Sequence, residues 1–490
     1  MSNNDFDLLI VGSGPAGQHA ALHAARMGKR VGIIERKPRI GGAGLQTGTI
    51  PSKALREVAY LASRAGRRGM RGAFGGGVLR PHGLLAEAIR QKEMVIAQQE
   101  SVILNRLMRS GVALIPGEAY FADAHTLDVL TPGGEVRQLH ADVVVLATGS
   151  RPRRPSDVPF DKVSVLDSTS ILKLRHLPGS MTVVGGGVIA CEFTCIFASL
   201  GVEVSVVDSH SQVLSYLSGD VVSALTDAML SLGVKFHMDS RAVAIRKEDE
   251  RVHTRLECGE EIVSDALLYA QGREPNSSYL KLNQAGVQVD DGWIGVNGFF
   301  QSNVPHIYAV GDLIGRPALA ATGMEQGRIA VMHAFGEKAP RMADNMPMAI
   351  YTIPEISYVG KTEKELRVEG VDYVVGRGRF SDSARGQIIG EETGMLKLNV
   401  ERATRKILGV HIVGESASEL VHIGQLVMNL GGTVTDLVRN VFNYPTLAEC
   451  YKLAALDCLA QLHQQAGQDA TTGRESCLDP SPEGLFTAPN

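Results

Sequence analysis

Two hydrophobic runs near the amino terminus have the length and pattern of buried parallel strands. They cover residues 6–11 and 31–34, and the second run ends at Glu35. A glycine loop, GSGPAG at residues 12–17, follows the first run, and an alanine-rich segment after the loop predicts a helix. The order strand, glycine loop, helix, strand and terminal acid predicts a β-α-β unit.

The same order occurs a second time along the chain. Residues 181–184 predict a strand, GGGVIA at residues 185–190 forms the loop, and a helix follows. The next strand, residues 202–207, ends at Asp208. In both copies the acid lies 23 residues after the first glycine of the loop. This internal duplication predicts two similar domains.

Each loop has the residues that a dinucleotide-binding site requires. The first glycine makes the tight turn, the second lets the backbone approach a pyrophosphate, and the third lets the helix pack on the strand. Alanine is accepted in the third position, where the second loop has Ala190. The helix start offers free N–H groups, and the acid accepts ribose hydroxyls. Two copies predict two dinucleotides, one held permanently and one exchanging.

The segments between and after these units have weaker patterns. Residues 84–110 predict a helix whose buried face includes Ile103, Leu104 and Leu107. Residues 54–78 are rich in arginine and glycine, and we expect a solvated, mobile connection there, with anion binding as the alternative. The polar residues 466–490 predict a disordered tail.

Composition limits the function classes. At about 150 residues per domain, 490 residues predict roughly three domains. A net charge of −4 and a pI near 6.4 give no basic surface for nucleic acid, and no apolar run is long enough for a membrane-spanning helix. The six cysteines match no disulfide framework or metal site, so we expect no metal. With no room for a signal peptide before the first strand, we expect a cytoplasmic protein.

Residues 40–53, IGGAGLQTGTIPSK, resemble the active-site segment of the FAD-dependent pyridine nucleotide:disulfide oxidoreductases. In that family a Gly-Gly turn leads into Cys-x4-Cys and then Ile-Pro-Ser-Lys, and the two cysteines form a redox disulfide beside the flavin. Here Gly44 and Thr49 occupy the two cysteine positions. Residues 5–462 share the resemblance, which is closest to the soluble pyridine nucleotide transhydrogenases.

The resemblance implies the residues that bind each cofactor. Those expected at FAD are Gly12, Gly14, Gly17, Glu35, Arg36, Gly42, Thr49, Lys53, Gly149, Gly311, Asp312 and Ala320. Those expected at NAD are Gly185, Gly187, Ala190, Glu192, Asp208 and Gly272. Asp312 is expected to accept hydrogen bonds from the flavin ribityl chain.

The carboxyl-terminal part departs from the disulfide reductases at one catalytic position. These enzymes have His-x-His-Pro-Thr-x-x-Glu, and the second histidine is the acid–base group for the thiol. Tyr444 stands at that position here, while Glu449 is retained. A phenol stays protonated at neutral pH and is therefore a poor base for a thiol. The cysteine pair and the histidine are missing together, which argues against disulfide exchange.

The catalytic residues implied by the resemblance are Lys53, Glu192 and Tyr444. Lys53 and Glu192 match the family's ion pair beside flavin N5 and the nicotinamide. Two routes for the electrons remain without the thiols. A second nicotinamide nucleotide can take the hydride, as in transhydrogenation, or a quinone or other small acceptor can be reduced. A non-enzymatic redox-sensing flavoprotein is a minor alternative.

Asp208 predicts which nucleotide is preferred. A carboxylate at this strand end accepts the 2′-OH of NAD and repels a 2′-phosphate, whereas NADP sites place an arginine nearby. Residues 209–212 contain no lysine or arginine, so we expect NADH to be preferred over NADPH. His210, when protonated, could still contact a phosphate.

We therefore predict an α/β protein with two Rossmann-like dinucleotide-binding domains and a carboxyl-terminal α+β dimerisation domain, assembled as a homodimer or larger homo-oligomer. The predicted domain bounds are 1–152 and 275–345 for the FAD-binding domain, 153–274 for the NAD-binding domain and 346–465 for the dimerisation domain.

Overall fold

The structure, a computed structural model, describes residues 5–67, 81–391 and 393–471. The chain forms two compact units. The first contains the residues up to Met346 together with Ile350–Pro354, and the second contains Pro347–Ala349 and the residues from Glu355 onward. Within the described residues, no helix is both long and apolar enough to cross a membrane.

The first unit alternates strands with helices. Its strands are β1 (Phe6–Val11), β2 (Val31–Glu35), β3 (Ala113–Pro116), β4 (Glu118–Phe121), β5 (Thr126–Leu130), β6 (Val136–Leu146), β7 (Ser150–Pro152), β8 (Val165–Leu166), β9 (Ser180–Val184), β10 (Glu203–Val207), β11 (Lys235–His237), β12 (Ala242–Glu248), β13 (Arg251–Leu256), β14 (Glu261–Ser264), β15 (Ala266–Tyr269), β16 (Arg273–Pro275), β17 (Val289–Asp290), β18 (Trp293–Ile294) and β19 (Ile307–Ala309). Its helices are α1 (Pro15–Arg26), α2 (Gly42–Gln46), α3 (Thr49–Arg67), α4 (Pro81–Arg109), α5 (Val188–Ser199), α6 (Gly219–Ser231) and α7 (Ala320–Ala334).

The largest sheet of the first unit has the strand order β3-β2-β1-β6-β5-β4, and β19 also pairs with β6. The pairs β1–β2, β1–β6, β2–β3 and β6–β19 are parallel, with Leu8 opposite both Val31 and Val143. Hydrophobic residues fill β1 because both faces of the sheet are covered, and Leu8, Leu9 and Ile10 are fully buried.

The second glycine loop belongs to a separate parallel sheet, with strand order β11-β10-β9-β15-β8. Here β9 pairs with both β10 and β15, so the loop after β9 leaves from the middle of the sheet. A three-stranded antiparallel sheet, β12-β13-β14, and a short ribbon of β7 and β16 complete this region. Ligands bind beyond the carboxyl ends of such parallel strands, where both loops lie.

Helices α1 and α7 pack closely because small residues meet at their contact. A Cβ atom on Gly327 of α7 would lie 2.4 Å from the carbonyl oxygen of Ala16 in α1. Gly327 and Ala20 are buried, and Ala20 is fully excluded from solvent. The close approach fixes α7 against the helix that follows the first glycine loop.

The second unit is a five-stranded sheet covered by helices. Its strands, in the order β20-β21-β24-β23-β22, are β20 (Met348–Ile350), β21 (Ile356–Gly360), β22 (Tyr373–Arg379), β23 (Met395–Glu401) and β24 (Ile407–Val413). Its helices are α8 (Glu363–Val368), α9 (Ala384–Ile389), α10 (Ala417–Asn429), α11 (Val434–Arg439) and α12 (Glu449–Thr471). The fully buried Tyr451 donates a hydrogen bond to the Leu420 carbonyl at 2.8 Å and so links α12 to α10.

Two sequence predictions need correction. Residues 54–67 continue α3 instead of forming a connection, because Leu55, Val58 and Ala59 recur at helical spacing and are at most 5% exposed. Residues 68–78 lie outside the described residues. The predicted tail begins too early, since α12 continues to Thr471. Good helix formers at 464–466 extend it, and residues 472–490 lie outside the described part of the chain.

The α1–α7 contact gives a test of the fold. We expect Gly327→Ala to lower the free energy of unfolding by about 1–3 kcal/mol, because the added methyl group forces the two helices apart. The midpoint of thermal unfolding of the purified protein measures the effect. Gly83→Ala in α4 is the matched control, since a Cβ atom there has no neighbour within 4 Å. This control should leave stability unchanged or raise it by up to about 1 kcal/mol, and equal midpoints for both variants would contradict the packing argument.

Candidate functional site

The first glycine loop turns sharply from β1 into α1. Gly12 has φ +108°, and a Cβ atom there would lie 2.5 Å from the Ala147 carbonyl oxygen, so only glycine fits. Gly14 is the N-cap of α1 and provides no side-chain cap. The first N–H groups of α1 are therefore available to an anion. A Cβ atom on Gly17 would lie 2.1 Å from the Gly12 carbonyl oxygen, so this position also requires glycine.

Glu35 holds the first loop from the end of β2. Its Oε2 accepts hydrogen bonds from the backbone N–H and the hydroxyl of Ser13, at 3.0 and 2.6 Å. Its Oε1 accepts the backbone N–H of Lys37 at 2.8 Å. Backbone N–H groups of Ser13 and Lys37 thus fix both oxygens of the acid at the strand end.

The second loop repeats this arrangement. Gly185 has φ +121°, and a Cβ atom there would lie 2.9 Å from the Ala270 carbonyl oxygen. Asp208 accepts the backbone N–H of Gly186 at 2.6 Å and that of His210 at 2.9 Å. Gly187 is the uncapped start of α5, and a Cβ atom added to it would have no neighbour within 4 Å. Space for a ligand therefore exists beside the free N–H groups of α5.

The segment that lacks the cysteines lies against the first loop. A Cβ atom on Gly42 would lie 2.7 Å from the Cα of Gly14, so the two glycine backbones approach closely. The Ser13 hydroxyl accepts the backbone N–H of Gly41 at 3.0 Å while it donates to Glu35. One serine therefore joins the first loop, the segment at residues 40–53 and the strand-end acid.

Neither former cysteine position has a thiol, and one of them has no room for a side chain. A Cβ atom on Gly44 would lie 2.8 Å from Cγ and 3.2 Å from Cδ of Pro15. Thr49, at the start of α3, is exposed. A cysteine at residue 44 would need Pro15 or α2 to shift.

Lys53 of α3 and Glu192 of α5 form an ion pair. The lysine Nζ lies 2.9 and 2.7 Å from the two carboxylate oxygens, and Glu192 is 5% exposed. The backbone N–H of Tyr351 also donates to Glu192, at 2.9 Å. Nζ lies 4.8 Å from the centre of the Tyr351 ring. The structure thus joins the two predicted residues in one contact and adds a third group that sequence analysis missed.

Sequence analysis missed Tyr351 and Ser13 for different reasons. Tyr351 lies in a stretch that resembles the dimerisation domain, yet residues Ile350–Pro354 belong to the first unit. Its signal was its place beside Thr352-Ile353-Pro354, a segment shared with the resembling family. Ser13 stands inside the glycine loop, whose motif specifies the glycine positions and leaves the residue between them open.

Asp312 lies where β19 ends and is held by two polar neighbours. Its Oδ2 accepts the Ser150 hydroxyl at 2.7 Å, and Arg273 Nε lies 3.8 Å from the same oxygen. Burial lowers the pKa of Arg273, partly offset by the nearby Asp312 and Asp167 carboxylates. Among the described residues, none donates a hydrogen bond to Asp312 Oδ1. This oxygen is available to a ligand.

The remaining predicted residues lie in several places of the first unit. The Arg36 guanidinium is 4.2 Å from the centre of the Tyr279 ring, and burial raises the pKa of Tyr279 to about 12. Ala320 is the first residue of α7, and Ala190 is fully buried in α5. Gly149 and Gly272 have positive φ angles and open space around Cα. Their roles stay predictions.

Tyr444 and Glu449 belong to the second unit. The Tyr444 side chain is 73% exposed. Glu449 begins α12, and its Oε2 is buried without a hydrogen-bond partner among the described residues. Within the described part of the unit, the exposed Tyr444 makes no hydrogen bond to this carboxylate oxygen.

No other thiol near the ion pair can replace the missing pair. Cys191 and Cys195 flank Glu192 in α5, and both are free and buried. Burial raises the pKa of Cys195 to about 12 and that of Cys191 well above its usual value. Both remain protonated at neutral pH, whereas thiol–disulfide exchange needs a thiolate.

Comparison with known proteins identifies the family. Residues 6–327 match the family pyridine nucleotide-disulphide oxidoreductase, and residues 346–455 match its dimerisation domain. The soluble pyridine nucleotide transhydrogenase of Mycobacterium bovis (strain BCG / Pasteur 1173P2) is 44% identical over 460 residues, which cover 94% of this chain and 98% of that protein. That of Vibrio atlanticus is 40% identical over 465 residues, with 94% and 99% covered.

Solved structures agree with this assignment. LpdA from Mycobacterium tuberculosis superposes with a TM-score of 0.85 at 28% identity, covering 92% of this chain and 98% of that one. The HOCl-induced flavoprotein disulfide reductase RclA from Escherichia coli, solved as a Cu(II) complex, gives 0.83 at 25% identity, with 92% and 99% covered. The predicted fold class and the resemblance drawn from sequence are both confirmed. The chain belongs to the pyridine nucleotide-disulphide oxidoreductases, a family of enzymes, and it has neither cysteine of the redox pair at residues 44 and 49.

Proposed function

We propose that this protein is an FAD-dependent oxidoreductase that transfers a hydride from NADH to a second nicotinamide nucleotide. The observation that supports this most is the combination at residues 44–53. The Lys53–Glu192 ion pair is intact, while the positions of the redox cysteines hold Gly44 and Thr49. The relatives named soluble pyridine nucleotide transhydrogenases support the same reaction.

The residues of the first loop fit FAD. The uncapped start of α1 offers N–H groups to a pyrophosphate, and the contact between Gly14 and Gly42 leaves no side chain in the way. Glu35 at the end of β2 is placed for a ribose, and Asp312 Oδ1 has acceptor capacity left for a ribityl hydroxyl. When bound, FAD supplies two-electron hydride chemistry between nicotinamide nucleotides.

The ion pair supplies a fixed positive charge in this site. Both oxygens of Glu192 bind Nζ of Lys53, and the Tyr351 N–H holds Oε1. The carboxylate is nearly excluded from water, so the lysine cannot rotate away without leaving a buried anion unpaired. We infer that this ammonium stabilises negative charge as it develops at the reacting ring.

The second loop fits NAD, and Asp208 favours NADH over NADPH. Its Oδ2 is bound to the Gly186 N–H at 2.6 Å, and its Oδ1 lies 2.6 Å from Nδ1 of His210. A 2′-phosphate would bring negative charge to this carboxylate. The exposed imidazole of His210 is the cationic group that would moderate the repulsion when protonated.

We further propose that the protein acts as a homodimer. The match to the family's dimerisation domain supports this, as does a set of large apolar side chains exposed on the second unit. These are Val368 (82% exposed), Leu430 (79%), Val441 (87%) and Tyr444 (73%). The cytoplasmic location and the catalytic role of Tyr444 stay predictions.

The missing dithiol sets the number of electrons that the protein can store. We expect one equivalent of NADH to bleach the flavin absorbance completely in the absence of oxygen, because a flavin takes two electrons and the segment at 40–53 adds none. An anaerobic titration followed at the flavin band measures this. A requirement for two equivalents would reveal a second two-electron group. If NADH did not bleach the flavin at all, the proposed reaction would be contradicted.

The electron acceptor can be identified on the same sample. We expect thio-NAD⁺ and thio-NADP⁺ to reoxidise the reduced protein, since the hydride can return only through a nicotinamide bound at the same site. Stopped-flow reoxidation rates with each thionicotinamide and with a soluble quinone distinguish the two reactions. Faster reoxidation by the quinone would favour the small-acceptor reductase instead.

Lys53→Met should slow the reduction by NADH on the order of 10²-fold, because it removes a preorganised charge beside the reacting atoms. Anaerobic stopped-flow at saturating NADH measures the rate constant. Lys53→Arg, which keeps the positive charge, is the matched control and should retain more activity. In Lys53→Met the buried Glu192 carboxylate loses its cationic partner. Thermal unfolding of both variants therefore checks that each protein is still folded. An unchanged rate in Lys53→Met would exclude the proposed role.

Asp208→Asn should reduce the ratio of kcat/KM for NADH over NADPH by about tenfold, since the amide oxygen can still accept the Gly186 N–H but no longer repels a 2′-phosphate. Asp208→Ala combined with Gln212→Arg should move the preference further toward NADPH. If kcat/KM of the wild-type protein were equal for NADH and NADPH, the role assigned to Asp208 would be contradicted.

A further inference from the structure

A cationic pocket lies on the first unit, between α1, α4 and α7. Its volume is about 360 Å³, within the range of small-molecule sites. The lining contains six basic side chains, together with Leu22 and Ser110. The six are His19, His23, Arg26, Arg106, Arg109 and Arg328.

Three of the arginines have no partner. The side chains of Arg26, Arg106 and Arg109 make no hydrogen bond or ion pair with any residue that the structure describes. Arg328 differs, because Glu325 binds it at 2.9 and 2.5 Å through two nitrogens. All three residues are exposed, so their guanidinium groups line the cavity from its solvent-facing side.

Helix ends explain only part of this charge. Arg26 lies in the last turn of α1, and Arg106 and Arg109 lie in the last turn of α4. Each helix carboxyl end contributes roughly half a negative charge. Two carboxylates also lie here, Glu325 and Glu337, and the latter is 3.7 Å from His23. Together with the two helix ends, they do not balance the positive charge of four arginines. The pocket therefore keeps a net positive charge even with both histidines neutral.

Burial is the largest influence on the pKa of each histidine, and neighbouring arginines act in the same direction. Burial lowers the pKa of His19, and the nearby Arg106 and Arg26 lower it further, against an opposing contribution from Glu325. Burial also lowers the pKa of His23, where Glu337 opposes the shift and Arg328 adds to it. Every helix around the pocket contributes at least one of these charged groups.

We propose that this pocket binds a small, multiply charged phosphate, with the pyrophosphate group as the unit recognised. Guanidinium groups form paired hydrogen bonds with phosphate oxygens, and three that lack a partner among the described residues line this one cavity. The arginine end of the pocket is separate from the glycine loop, because Arg26 ends a helix of 12 residues, about 18 Å long, that begins at that loop, whereas His19 lies about one turn along it.

Calorimetric titration of the purified holoprotein with inorganic pyrophosphate, at low ionic strength and with NAD⁺ saturating the second loop, tests the proposal. We expect binding to wild type and at least tenfold weaker binding to the double variant Arg106→Gln/Arg109→Gln. The control is Arg90→Gln, which removes one arginine from the same helix about 24 Å away, where it pairs with Glu87. This control should bind like wild type.

A second readout separates binding in the pocket from a general loss of charge. Bound pyrophosphate should raise the pKa of His19, measured by NMR on histidine-labelled protein, because the anion stabilises the imidazolium. Titrations with ADP show whether the phosphate comes from a nucleotide: tighter binding of ADP than of pyrophosphate indicates a nucleotide, and the reverse indicates the inorganic ion. Absent binding to wild type, equal binding by the double variant or an unmoved His19 pKa would overturn the proposal.

Discussion

The ion pair between Lys53 and Glu192 ties two helices of the first unit to each other. One helix, α3, continues the segment that lacks the cysteines, and the other, α5, begins at the second glycine loop. Glu192 is 5% exposed, so removal of its partner would leave a buried charge at a cost of about 3–5 kcal/mol. This cost holds the lysine in place and couples its position to both loops. The proposed hydride chemistry depends on that coupling, because one charged group must serve two nucleotide sites.

A side chain at residue 44 would meet the start of α1. Pro15 begins α1, and its ring occupies the space that a side chain at residue 44 would need. A cysteine at residue 44 would therefore require Pro15 or α2 to move. Glu449 shows the matching change in the second unit, where its buried Oε2 lacks a partner among the described residues and Tyr444 stands in the histidine position. The contacts between Lys53, Glu192 and Tyr351 are present alongside both changes.

Local patterns in the sequence were sufficient for the elements that position the site. The strand Phe6–Val11, the loop after it and the acid at the end of β2 all follow from short hydrophobic runs and glycine spacing. Such patterns do not predict an element correctly where neighbouring residues favour a different structure, and they do not predict contacts between residues far apart in the chain. Arginine and glycine near residues 64–78 concealed the helical spacing of Leu55, Val58 and Ala59. Tyr351 could not be found, because its contact with Glu192 spans 159 residues and depends on how the chain returns to the first unit.

The two strand-end acids show how one backbone arrangement can serve two nucleotides. Glu35 and Asp208 both bind the N–H of the residue after the first glycine and the N–H two residues after themselves. Because these donors belong to the backbone, the arrangement does not depend on the ligand. Selectivity must then come from the neighbouring side chains. Arg36 and Lys37 follow Glu35, whereas His210, with Nδ1 2.6 Å from Asp208 Oδ1, is the only ionisable group in the four residues after Asp208. The two loops therefore share one backbone geometry and differ in the charge of the residues that follow the acid.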